Sequence, residues 1–291
     1  MQKIWIGTAL LVVSSVAFSA AGFFTRLVPL DVWTVLFWRG IFGGVFIAAF
    51  FVMERGLGTI EAVRSIGRPG LAVAALSTVA TIAFIHALRI GSVADVMVIA
   101  ATLPFVTALL AWAWFGERER WTTLAASIAA FAGIALMFGW STAPRSLGGD
   151  ALAFVMPLAI GAMMVIIRQY RATSMLPAVA LSAFLCSLAV LPFATPSAAH
   201  GINLVYLGLF GTLQFGLGLL TLTLGTRFVS ATRAALIANI ETPLGIALVW
   251  ASFDEVPAAI TIVGGTIVLA AVVADILMRN PVRDVSARDE P

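Results

Sequence analysis

The chain has 291 residues, 61% of them hydrophobic and only 11% charged, with a formal net charge of +3. A soluble domain runs at about 45–50% apolar and about 25% charged residues, and a compact core of this length could not absorb the difference while keeping a wet surface. Lipid is therefore the solvent for most of these side chains, which excludes a soluble enzyme, a nucleic-acid-binding protein and a disulfide-stapled secreted domain.

A membrane-crossing helix needs roughly 20 mostly apolar residues. In chain order the runs that qualify are Ile4–Phe24, Val32–Met53, Leu71–Leu88, Val93–Phe115, Trp121–Trp140, Ala151–Ile167, Leu176–Thr195, Asn203–Gly225, Ala231–Phe253 and Val256–Met278, ten in all. The polar intervals between them are short. Glu54–Pro69 and the tail Arg279–Pro291 are the longest, and neither is long enough to fold as a domain. The first run contains a signal-peptidase-like stretch, Ala17-Phe18-Ser19-Ala20-Ala21, but stays apolar through Phe24 and reads as a retained span.

Positive charges set the orientation. With a cytoplasmic N-terminus, the inner segments carry Lys3, Arg55, Arg64, Arg68, Arg118, Arg120, Arg168, Arg171, Arg227, Arg233, Arg279, Arg283 and Arg288, thirteen residues, against Arg26, Arg89 and Arg145 outside. Both termini are thus expected in the cytoplasm. Trp5, Trp112, Trp114 and Trp121 fit an inner interfacial belt, and Trp33, Trp140 and Trp250 an outer one.

Two counts narrow the chemistry. Lys3 is the single lysine, beside sixteen arginines, so no lysine is available to a phosphate-cradling Gly-rich loop or to an internal Schiff base. ATP-driven transport by this chain alone is excluded, and no cofactor is expected. Cys186 is the single cysteine; it reads as a small buried hydrophobe, and no metal site is expected. His86 and His200 form no HExxH-like pair, and the spans hold no paired aspartates, so an intramembrane protease is disfavoured.

The chain repeats itself. Ser92 to Glu117 and Ser230 to Glu255 each start on a small polar residue, carry a mid-span proline (Pro104, Pro243), and end in Phe-x-Glu, Phe115-Gly116-Glu117 and Phe253-Asp254-Glu255. The proline-to-glutamate spacing differs by one residue, which implies one insertion or deletion. These are the fourth and ninth runs, so the unit is five helices and an odd unit inverts the second half. The expected fold is an all-α polytopic membrane protein, ten transmembrane helices as two inverted five-helix repeats, residues 1–140 and 151–278, with a cytoplasmic tail at 279–291. Inverted repeats place a binding site near the midplane between the halves.

The ten runs, the five-plus-five halves and the paired Pro…Phe-x-Glu segments resemble the EamA family of the drug/metabolite transporter superfamily. Within it, the length, the Met- and aromatic-rich helices and the scarce intramembrane charge are most similar to bacterial aromatic amino-acid exporters. The resemblance implies a multi-pass protein of the bacterial inner membrane that exports aromatic and other neutral amino acids, or similar small hydrophobic metabolites, as a monomer and without ATP. Drug-like cations, or anionic cargo such as nucleotide sugars, are the alternative, with proton coupling through Glu241. Two departures are visible: Asp254 stands where the first half has Gly116, and Thr242 separates Glu241 from Pro243, where many relatives have Glu and Pro adjacent.

Ionisable groups inside hydrocarbon are functional candidates by default. Glu241, near the middle of the ninth run, reads as a proton-titrating group or an ammonium partner, or else as a structural partner of Arg39. Arg39, seven residues into the second run, reads as the partner of Asp95, Asp31, Asp150 or Glu241, or as a receptor for a substrate carboxylate. Asp95 and His86 lie near the outer interface, Asp95 as a structural or gating residue and His86 as a further cavity candidate. Among uncharged polar residues, Ser15, Thr78, Thr81, Thr102, Gln214 and Asn239 are cavity candidates, the two amides most strongly because an amide in lipid is expensive. Met97, Met156 and Met163 would supply a soft apolar wall, and Pro104, Pro157 and Pro243 would break their helices at mid-depth. The cavity is expected between the first, third, fourth, sixth, eighth and ninth helices.

Overall fold

The computed structural model describes residues 2–90, 93–138 and 147–278. The readings placed on Ser92, Trp140, Arg145, the side chain of Arg89 and the tail from Arg279 lie outside what is described. Among the described residues every regular element is helical. Ten helical spans are long and apolar enough to cross a membrane: Gln2–Leu27, Val32–Arg55, Gly67–Ala87, Asp95–Phe115, Trp121–Phe138, Leu147–Gln169, Leu176–Phe193, Ile202–Thr226, Ala231–Phe253 and Ala259–Leu277, here spans 1 to 10. The interval after span 2 holds only a 3-10 turn at Gly56–Gly58 and a short helix at Thr59–Ser65.

The shell of the bundle is apolar as well as its core. Val13, Leu109, Leu188 and Val263 are each about half exposed or more, as residues are when hydrocarbon covers them. Trp5, Trp112, Trp114 and Trp121 are exposed at the end rich in arginine, and Trp250 at the opposite end. Most span ends agree with hydropathy to within a few residues. Span 10 begins at Ala259 rather than Val256 because Pro257 holds Val256 out of the helical region, and Ala258 is still extended (ψ 148°).

Spans 4 and 9 share one anatomy. Each is an eight-residue helix (Val93–Ala100; Ala231–Ala238), a two-residue break, a thirteen-residue helix (Leu103–Phe115; Glu241–Phe253) and a left-handed cap. A constant offset of 138 residues superimposes all four parts and continues into spans 5 and 10, which start at Trp121 and Ala259. The backbone bonds across the breaks match too: Thr102 N–H donates to Ile99 O, and Ile240 N–H to Ile237 O (both 3.0 Å). No insertion or deletion is needed. The expected one-residue gap comes from the proline itself, which is the second residue of the trailing helix in span 4 and the third in span 9.

The caps explain the first sequence departure. Gly116 has φ 65° and Asp254 φ 54°, the left-handed conformation that stops each helix before Phe-x-Glu turns away. Glycine enters it freely, and aspartate is one of the few side chains that tolerate it.

The packing of the spans has the same order when each is replaced by the span five places on. Spans 3 and 6 pack as 8 and 1 do, 7 and 3 as 2 and 8, and 6 and 4 as 1 and 9; spans 5 and 10, and spans 2 and 7, pack on each other. Small residues bring these helices close. A Cβ added at Gly211 of span 8 would sit 2.5 Å from Phe42 Cβ and 2.9 Å from the Arg39 carbonyl oxygen of span 2, so the two backbones touch there.

Two changes test this frame. Asp254→Gly should relieve the left-handed cap and gain up to about 1 kcal/mol, read as a raised melting temperature in detergent. Gly211→Ala should cost about 1–3 kcal/mol through overpacking of the span 2–span 8 contact, read as a lowered one.

Candidate functional site

Span 1 packs on spans 8 and 9, and polar side chains tie the three together. Ser14 Oγ donates to Gly218 O of span 8 (2.8 Å), and Ser15 Oγ donates to Ile237 O of span 9 (3.0 Å) and Leu11 O (3.1 Å). Gln214 Nε2 donates to Phe18 O (3.3 Å). These bonds stack spans 8 and 9 on opposite sides of one serine-bearing turn. Ser15 therefore acts on the backbone of the span 9 break rather than standing open.

Around that turn, three groups keep unused polar valence. The Gln214 Oε1 and Asn239 Nδ2 atoms are buried and have no hydrogen-bond partner. Asn239 is the first residue of the span 9 break, and Glu241 opens the trailing helix two residues on. The Glu241 carboxylate is half-buried, and among the described residues neither a hydrogen bond nor an ion pair reaches it. Arg39 is not its partner, so the structural-pair reading of Glu241 is not realised. Buried polar groups in native structures are nearly always satisfied, so unsatisfied acceptors and donors on spans 8 and 9, the two spans that span 1 ties together, are places for water or cargo. Gln214 also borders a largely apolar groove of about 330 Å³ between spans 1 and 8, lined by Val13, Val16 and Leu213.

Span 8 contributes a feature that hydropathy could not reveal. Phe210–Gly216 is a π-helical stretch, with Phe210, Gln214 and Phe215 buried. Its counterpart in span 3 lies within one unbroken α-helix. Stretches of this kind are rare and concentrate at functional sites. The glycines at 208, 211, 216 and 218 were the available signal, and they read equally well as close packing.

The other expected site residues disperse. Thr78 Oγ1 donates to Ala74 O (2.9 Å) and Ser182 O (3.3 Å), Thr81 Oγ1 to Ser77 O (3.0 Å) and Thr102 Oγ1 to Ile99 O (2.6 Å). Each bonds its own helix, and Thr78 also ties span 3 to span 7. Met163 is enclosed in the core at 0% exposure, while Met97 and Met156 are half-buried. His86 is exposed beside the Trp33 ring, and Asp95 is half-buried at the start of span 4. Asp31 caps span 2, accepting from the Trp33 and Thr34 N–H groups. Pro104 and Pro243 follow the two breaks, but span 6 runs through Pro157 without one.

The two ends of the bundle differ. The leading half of span 9, Ala231–Ala238, packs on spans 4, 5 and 6 at the arginine-rich end, and every residue from Ala231 to Ile237 is buried. Among the described residues, the leading half of span 4 packs mainly on spans 5 and 6, and packing as extensive as that of Ala231–Ala238 is not found for it. The two leading halves are thus unequally packed.

An ion pair holds the seal. Arg233 Nε donates to Asp275 Oδ2 of span 10 (2.8 Å), and Thr123 Oγ1 of span 5 donates to Asp275 Oδ1 (2.7 Å). Arg233 is 4% exposed and Asp275 5%. Arg233 was counted with the inner loops, yet it lies two residues inside span 9. The signal was there in two opposite charges near the same end of adjacent helices. The 138-residue offset maps Arg233 to Asp95, Asp275 to Met137 and Thr123 to Thr261, and Thr261 Oγ1 only reaches Met137 O (3.4 Å). The lock has no ionic counterpart.

At the opposite end, Arg26 donates through Nε and Nη2 to the two carboxylate oxygens of Glu255 (2.7 and 2.6 Å), clasping span 1 to the end of span 9. The side-chain hydrogen bond from Arg26 holds the Glu255 carboxyl below the usual glutamate range. The clasp is thus intact at neutral pH and is lost only as pH falls through that lowered value. Among the described residues no group of three or more His, Cys, Asp or Glu side chains could hold a metal ion.

Residues 5–139, spans 1 to 5, match the family model described as the EamA-like transporter family. No curated protein matches the chain. A solved structure described only as a crystal structure of a protein superimposes with a TM-score of 0.76 at 18% identity, covering 95% of this chain and 96% of its own. That likeness is one of fold.

Removing one partner of a buried ion pair strands the other charge. Asp275→Asn should therefore cost about 3–5 kcal/mol, whereas replacing Arg233 and Asp275 together with Met and Leu should cost far less. Melting of the three proteins in one detergent decides it; equal losses in the single and double variants would show that the pair carries no special weight.

Proposed function

We propose, from an EamA-like transporter domain at residues 5–139 within a ten-span helical bundle, that this membrane transporter of the drug/metabolite type exports small, largely hydrophobic metabolites, in the first place aromatic and other neutral amino acids. The two halves act as inverted repeats and exchange access between the sides of the membrane. The arginine-rich end faces the cytoplasm of a bacterial inner membrane, by the positive-inside rule.

The observation that carries this reading is the pair of broken spans. Spans 4 and 9 are built alike, yet among the described residues their leading halves are packed unequally. A protein whose equivalent parts take unequal positions has a second arrangement available by exchanging them, which is the geometric content of alternating access. On this reading Ala231–Ala238 and the Arg233–Asp275 pair close the cytoplasmic end. The interior carries amides and aromatic rings with few charges, which suits neutral cargo.

Proton coupling is a second reading, favoured by one observation: the Glu241 carboxylate has no protein partner among the described residues. An unpartnered carboxylate next to a helix break can exchange a proton for cargo without first breaking a structural bond.

Uptake of labelled phenylalanine into proteoliposomes tests both. Uptake is expected above empty vesicles and competed by tryptophan, tyrosine or threonine. Glu241→Gln should leave the melting temperature nearly unchanged, since no partner is lost, and should abolish the response of flux to an imposed pH gradient. An unchanged response would return Glu241 to a structural role. Absence of uptake both with and without a gradient would discard amino-acid cargo.

A further inference from the structure

Arg39 is a half-buried charge within span 2 that, among the described residues, the bundle's own ion pairs do not use. It shares a face of span 2 with Leu36 and Gly43, both buried, and that face lies opposite Val45 and Val52, which are half exposed to lipid. The arginine therefore points into the bundle. Its guanidinium lies over the Phe215 ring at 4.6 Å and the Phe210 ring at 5.7 Å, both on the π-helical stretch of span 8. Among the described residues no carboxylate comes within ion-pair distance and no hydrogen bond satisfies its donors. Asp31 is spent on the cap of its own helix, and Glu255 and Asp275 are paired with Arg26 and Arg233.

Aromatic rings engage a guanidinium through its face. They leave the edge, where five N–H donors lie in one plane, with nothing to donate to. An arginine in that state is costly inside a membrane unless water or an anion meets it. The ligand that fits the edge of a clamped guanidinium is a planar group with two acceptor oxygens, which is a carboxylate. Phe210 and Phe215 also offer apolar surface next to it, and Phe210 stacks on Phe24 (5.2 Å) to extend that wall.

We propose that Arg39 is the cargo-binding residue that receives a substrate carboxylate, held for that task between Phe210 and Phe215 of the π-helical stretch. This deepens the metabolite-carrier reading and rests on it: the cargo carries a carboxylate beside an apolar side chain.

The test uses the purified full chain and four probes: phenylalanine and 3-phenylpropionate, which have the carboxylate, and phenylalaninamide and phenethylamine, which lack it. The first two should raise the melting temperature of the native protein and the last two should not. Arg39→Gln should lose the carboxylate response, and Arg39→Lys should keep it with at least tenfold weaker half-saturation. Phe215→Leu leaves the charge in place and serves if Arg39→Gln fails to fold; it should weaken the response several-fold while keeping its selectivity. Equal responses to phenylalanine and its amide, no response to either carboxylate, or an Arg39→Gln protein that still responds would each overturn the assignment. Flux of the same probes in proteoliposomes separates the two ideas. A carboxylate-selective melting shift without flux sinks the carrier reading but not the site, and flux indifferent to Arg39→Gln sinks the site but not the carrier.

Discussion

A backbone N–H or carbonyl left unpaired in hydrocarbon costs several kcal/mol, on the order of a whole side-chain hydrogen bond or more. The architecture follows from where the chain breaks that rule and how it recovers. Among the described residues its irregular backbone within spans includes the turn at Ala20, the breaks at Ala101-Thr102 and Asn239-Ile240, the 3-10 turn Leu191–Phe193 and the π-helical stretch Phe210–Gly216. Short-range bonds repair the breaks, and Thr102 adds its hydroxyl to Ile99 O. The Ser15 hydroxyl adds a further donor at Ile237 O from a neighbouring span. Two of these places, the span 9 break with Asn239 and the π-helical stretch with Gln214, are also where polar valence is left over. The irregular backbone and the candidate site coincide because the same enclosure tolerates both.

The charges divide by the same logic. Arg233 and Asp275 are both nearly inaccessible and satisfy each other, with Thr123 taking the second carboxylate oxygen. Arg26 and Glu255 do so at a wet boundary, where the pair contributes little. Glu241 and Arg39 differ: one has no polar contact and the other has only rings. In a low-dielectric interior a charge without a counter-charge is the exception, and Glu241 on span 9 and Arg39 on span 2 are two such charges of opposite sign among the described residues.

Hydropathy alone located the spans, because an apolar run of span length has few alternatives to a crossing helix, and the paired Phe-x-Glu ends marked spans 4 and 9 as copies. Helix breaks were less legible. Proline predicts where a helix is weak, and Pro104 and Pro243 sit two or three residues past real breaks, yet span 6 tolerates Pro157. The missing indel is a lesson of the same kind: the copies keep their break and cap and let the proline slide by one. The serine and threonine candidates could not be resolved from sequence, since a hydroxyl that bonds its own helix and one that faces a cavity have the same code. The Arg233–Asp275 pair was hidden by its position, two residues inside one span and two from the end of another, where charges usually belong to the interface.

The break in span 9 also sets a lever. From Asn239 to Arg233 the helix rises about 9 Å, at roughly 1.5 Å per residue. A tilt of about 25° at the break would sweep Arg233 sideways by about 4 Å over that length, more than the 2.8 Å that now separates it from Asp275. A rotation of that size is thus large enough to part the charges. Because they are buried, water must enter as they separate. The fulcrum, the arm and the latch occupy seven consecutive residues of one helix, so the motion that unlocks the end also wets it.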